Sequence, residues 1–68
     1  MTKLDKALLD FVRNTDGKTP TVIYAGVDIL NEVRMHNSSY YQLDFKNSLY
    51  SGIPFHRVSG EPDHLAVY

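Results

Sequence analysis

Residues 19–36, TPTVIYAGVDILNEVRMH, decide the fold. Pro20 pushes Thr19 toward extended backbone. Thr21-Val22-Ile23-Tyr24 are all β-branched or aromatic, which predicts a strand. Val22 and Tyr24 on one side and Ile23 on the other are apolar, so both faces of this strand are expected to be covered. Gly26 breaks the run. Beyond it Val27, Ile29, Leu30, Val33 and Met35 recur at helical spacing up to about His36, predicting a helix of about ten residues. Asp28 near its start and Arg34 and His36 near its end complement the helix dipole, and Asn37-Ser38-Ser39 closes it.

Toward the N-terminus, Leu4, Ala7, Leu8, Phe11 and Val12 form one apolar stripe, predicting a helix over 3–14. Lys3, Lys6, Asp10 and Arg13 occupy its other side, with Lys6 and Asp10 an i,i+4 pair. Thr2 is the expected N-cap, with Asp5 three residues on as a short capping-box acid. Asn14-Thr15-Asp16-Gly17 ends the helix, Gly17 supplying left-handed backbone.

Toward the C-terminus, Tyr41, Leu43 and Phe45 alternate with Tyr40, Gln42 and Asp44, the pattern of a strand or an extended arm. Asn47-Ser48 reads as a turn. Residues 49–58 and 64–68 read as two extended runs, joined into a hairpin by Ser59-Gly60-Glu61-Pro62-Asp63. Leu65 and Val67 are expected to face the core, and His64, Ala66 and Tyr68 the other side. Pro54 cannot donate to a ladder and belongs at an edge, a bulge or a wide position. The order α-β-α-(β)-β-β predicts an α+β domain over residues 1–68: two helices on one face of a three- or four-stranded sheet with a C-terminal β-hairpin. A chain of 68 residues buries only about 60% of its unfolded surface, so the opposite sheet face calls for a partner subunit.

Composition excludes several classes. There is no cysteine, hence no disulfide and no thiolate zinc site. Seven Lys and Arg against eight Asp and Glu give a net charge of −1, which argues against nucleic acid as a partner because phosphate binding needs surplus cations. No apolar run reaches the ~18 residues of a membrane span, and no secretory signal is evident. The expected address is the cytoplasm.

The order Thr19-Pro20-Thr21-Val22-Ile23-Tyr24, a helix through Leu30 and Val33-Arg34, Leu49-Tyr50-Ser51-Gly52-Ile53-Pro54-Phe55, then Pro62-Asp63-His64-Leu65-Ala66-Val67-Tyr68, resembles the C-terminal segment of tailed-bacteriophage major capsid proteins. The likeness spans residues 5–68 through short motifs, of which Gly52-Ile53-Pro54 is the most distinctive. The chain lacks the long arm and spine helix of a shell subunit. The resemblance implies a stand-alone phage or prophage protein built on a capsid-like element, located in the host cytoplasm or the virion.

Catalytic patterns are weak. Asp28 and Glu32 share a helix face, where like charges usually mark a wet surface. Gly17-Lys18-Thr19 lacks the upstream glycine of a P-loop and precedes a strand. Ser51-Gly52 is no nucleophile elbow. His56 and His64 fall on one face of the expected hairpin about 7 Å apart, near Glu61 and Asp63, and are the weak candidates for a metal; exposed hairpin histidines are the simpler reading, and no cofactor is expected. His36 reads as a dipole partner.

The strongest functional signal is the segment from Asn37 to Ser51. Tyr40, Tyr41, Phe45 and Tyr50 stand among Asn, Ser and Gln, the composition of protein contact surfaces. They are the expected partner-binding residues of a non-enzymatic interaction or assembly module that binds another protein or itself through tyrosines and a sheet edge. Two alternatives stand beside this reading: stacking of single-stranded bases on the same rings, and a His-based metal hairpin. Against both uses of the aromatic segment, Tyr41, Leu43 and Phe45 would simply complete the core, leaving Tyr40 and Tyr50 exposed.

Overall fold

A computed structural model describes residues 1–36 and 42–68. Helix α1 covers Lys3–Asn14, strand β1 Ile23–Ala25 and helix α2 Val27–Met35. Four strands follow: β2 Leu43–Asp44, β3 Leu49–Tyr50, β4 Ile53–Arg57 and β5 Leu65–Val67. They form one mixed sheet in the order β2-β3-β4-β1-β5. The α+β class and the two helices are as expected; the sheet has five strands instead of three or four.

The helix signals act locally and are satisfied locally. Thr2 caps α1, its Oγ1 accepting the Asp5 N–H at 3.1 Å. Asp5 turns its carboxylate to the Tyr50 hydroxyl, which donates to Oδ1. At the far end Gly17 N–H donates to Val12 O at 2.9 Å while Asp16 takes positive φ, a Schellman-type close. The Lys3 N–H, an orphan donor of the first turn, is taken by Glu32 Oε1 at 2.6 Å, which fastens α1 to α2.

Alternation then sorts the sheet into two faces. Ile23 and Ala25 of β1, Phe55 of β4 and Tyr50 of β3 join Leu4 of α1 and Ile29, Leu30 and Val33 of α2 in a buried core. Leu8, Leu43, Ile53, Leu65 and Val67 pack around it. Leu65 and Val67 therefore face the core as expected. Both helices lie on this face, so the expectation that β1 is covered on both sides fails: Tyr24, between Ile23 and Ala25, is exposed. Val12, Val27 and Met35, counted in the helical stripes, are exposed as well.

Strand pairing corrects the C-terminal hairpin. β4 and β5 run antiparallel but do not pair; β1 lies between them. β1 is parallel to β4 (Ile23↔Phe55, Tyr24↔His56, Ala25↔Arg57) and antiparallel to β5 (Ile23↔Val67, Tyr24↔Ala66, Ala25↔Leu65). The loop 59–63 crosses the carboxyl end of β1 to join them. Its backbone lies against the start of α2: Asp28 N–H donates to Pro62 O and Gly26 N–H to His64 O, both at 2.8 Å. A Cβ on Gly26 would stand 2.1 Å from Glu61 O. Gly26 thus ends β1 and also gives the loop its room to pass.

The run 49–58 is also not one strand. Ser51 and Gly52 both take positive φ (51° and 80°), the pattern of a type I′ hairpin turn, between Tyr50 and Ile53, which face each other. A second hairpin joins β2 to β3 through 45–48, where Asn47-Ser48 was expected to turn and Ser48 takes positive φ. Pro54 sits opposite Leu49. The N–H it lacks falls on the β1 side, one step before the ladder with β1 begins.

Candidate functional site

The sheet presents an open face made by the alternate residues of its strands. Tyr24 on β1, His56 on β4 and Ala66 on β5 stand in register across it. Tyr24 stacks on His56, with ring centroids 5.4 Å apart and planes 26° apart, and meets Tyr68 edge-to-face at 5.9 Å. Tyr68 is 61% exposed and Tyr24 38%. By the same alternation Val22, Pro54, Val58, Leu49, His64 and Asp44 complete this face. No Lys or Arg is among these positions, and Asp44 lies on β2, at the edge farthest from Tyr68. The Asp44 carboxyl is held below its ordinary range by hydrogen bonds from the Asn47 side chain and N–H, with a smaller one from the Lys46 backbone, against a small opposing effect of desolvation.

The expected partner-binding residues scatter. Tyr40 and Tyr41 lie outside the described residues. Tyr50, expected at the surface, is fully buried and is the largest sealed side chain of the core. The cause is the two-residue turn at Ser51-Gly52, which puts Tyr50 opposite Ile53 on the helix-covered face. Phe45 is exposed, edge-to-face with Phe55 at 6.2 Å and beneath the Arg34 guanidinium at 5.1 Å. The rings that meet on the open face, Tyr24 and Tyr68, carry only a strand signal in the sequence. Their common phase across β1 and β5 was available only through the strand order.

The histidine pair also comes apart. His56 and His64 do share the open face, but β1 runs between their strands, a separation of two strand spacings or about 10 Å. His64 instead lies 3.7 Å from Glu61. Among the described residues no three His, Asp or Glu side chains converge on a metal position. Nor does any described helix have the length and apolarity to cross a membrane.

A cleft of about 330 Å³ opens between α2 and β4, lined by Asn31 and Arg34 of α2, Phe45, Ser48, Phe55, His56 and Arg57, with Val27 and Leu30 on its wall. Compared with family models, curated proteins and solved structures, the chain matches none.

Proposed function

We propose that this protein is a non-enzymatic interaction module that works by self-association, two copies covering each other's open sheet face. The observation that supports this most is the Tyr24–His56–Tyr68 cluster, on the sheet face that, among the described residues, neither helix covers. Facing sheets pack about 10 Å apart through interdigitating side chains, and aromatic rings with few charges form the centre of such contacts. The face is also self-complementary in charge. With no Lys or Arg on it and Asp44 at its far edge, two copies meet without like charges opposed. The docking patch is thus moved from the tyrosine-rich middle segment to the sheet. The likeness to capsid segments adds a setting to this reading, assembly in a phage or prophage context.

Base stacking on the same rings is the competing use. It is disfavoured because none of the alternate positions that form this face carries a Lys or Arg, whereas single-strand grooves combine rings with cations. Sedimentation equilibrium separates the two. Self-association gives a mass rising with concentration toward twice the 7.8 kDa of the chain, reversed by Tyr24→Ser with Tyr68→Ser while circular dichroism stays native. A monomer at every concentration that binds oligothymidylate in the wild type and loses it in the same variant would replace this reading with the other.

A further inference from the structure

We propose that the cleft between α2 and β4 is a binding site for a small oxyanion carried on a flat apolar body, an aryl phosphate or aryl carboxylate. Arg34 reaches the cleft from the last turn of α2 and Arg57 from the end of β4. Neither makes an ion pair among the described residues, and the cleft lining contains no Asp or Glu. Residues 37–41, Asn-Ser-Ser-Tyr-Tyr, carry no carboxylate either. In a chain of net charge −1, two arginines line one cavity with no carboxylate among its described lining residues.

The remaining lining supplies the other half of the ligand. Val27, Leu30, Phe45 and Phe55 give an apolar wall, and Asn31, Ser48 and His56 add polar groups. Phe45 braces Arg34 from below and is itself held edge-on by Phe55. That stack limits the freedom of the guanidinium, whose planar fork matches a carboxylate or phosphate. At about 330 Å³ the cleft is at the small end of ligand sites, a size for one ring and one anionic group. It lies between α2 and β4 and shares His56 with the proposed self-association face, while Tyr24 and Tyr68 are not part of its lining.

The test is a titration followed by NMR, reading the Arg34 and Arg57 Nε–H signals with four probes: phenyl phosphate, benzoate, inorganic phosphate and benzyl alcohol. Saturable shifts of both arginines are expected with phenyl phosphate or benzoate. The tighter of those two identifies the anionic group. Inorganic phosphate and benzyl alcohol are expected to bind at least about tenfold more weakly, each lacking half of the recognised chemistry. Arg34→Gln and Arg57→Gln, both at exposed positions, should each weaken the better probe about tenfold with amide dispersion unchanged. Equal affinity for inorganic phosphate, equal affinity for benzyl alcohol, shifts that survive Arg57→Gln, or no saturable shift at all would each overturn the proposal.

Discussion

Gly26 and Tyr50 hold the two places where the chain is least forgiving. At Gly26 any side chain meets backbone, not a movable side-chain tip, because the Glu61 and Pro62 carbonyls pass directly over it. Gly26→Ala is therefore expected to cost at least about 2–3 kcal/mol through overpacking and the loss of the loop's bonds to the start of α2, measured by urea unfolding. A loss within about 0.5 kcal/mol would mean that the loop is free to move away. Tyr50 couples β3 to α1 by donating to Asp5 from within the core. Tyr50→Phe keeps the ring and removes the donor, and should cost about 1.5–3 kcal/mol, the range for a hydrogen bond to a charged group. Tyr50→Ala should cost about 3–5 kcal/mol. A change in self-association with unaltered stability in either variant would contradict the burial of this ring.

At the scale of elements, what was legible in the sequence follows the distance over which each signal acts. α1 could be bounded at Lys3–Asn14 because period, N-cap and C-terminal glycine all lie within or beside its own turns. α2 was legible for the same reason, with Val27 and Met35 the apolar residues that its stripe does not bury. The sheet was less so. Taking 49–58 as one strand sets Tyr50 in phase with Pro54 and His56 on the open face; the turn at Ser51-Gly52 resets that phase and moves it into the core. The insertion of β1 between β4 and β5 is a long-range pairing that a five-residue loop does not announce. Its nearest sequence sign was Gly26, whose lack of a Cβ serves the crossing. The same gap separated His56 from His64 and hid the meeting of Tyr24 with Tyr68.

The β2–β3 hairpin has its own pH dependence. Asn47 donates to Asp44 from its side chain at 2.9 Å and from its N–H at 3.2 Å, favouring the ionised carboxylate. A folded-state pKa held below the unfolded value means that this support is present above the unfolded pKa and is lost as pH falls through the folded one. The Asp44 carboxyl carbon should therefore titrate in NMR with a midpoint below the ordinary 3.8. Asn47→Ala should raise that midpoint toward 3.8. An unchanged midpoint in the variant would show that other donors set it.

For the molecule as a whole, the helices and the sheet form two layers, and among the described residues the helical layer on one side of the sheet has no counterpart on the other. Among small domains this asymmetry leaves apolar area that one chain cannot cover by itself. Here that area gathers rings from β1, β4 and the residue after β5 at the centre of the sheet. Charge is kept away from it, with the arginines of the cleft on the opposite side and Asp44 at the rim. The two surfaces share His56 but can be altered separately through Tyr24 and Tyr68 on one and Arg34 and Arg57 on the other. The most direct measurement is an isotope-filtered nuclear Overhauser experiment on a mixture of labelled and unlabelled chains. Contacts between copies are expected from the Tyr24 and Tyr68 rings to Ala66, Val22 and Pro54. Contacts confined to α1, or none at millimolar concentration, would contradict the assignment of the sheet face as the place where this protein meets its partner.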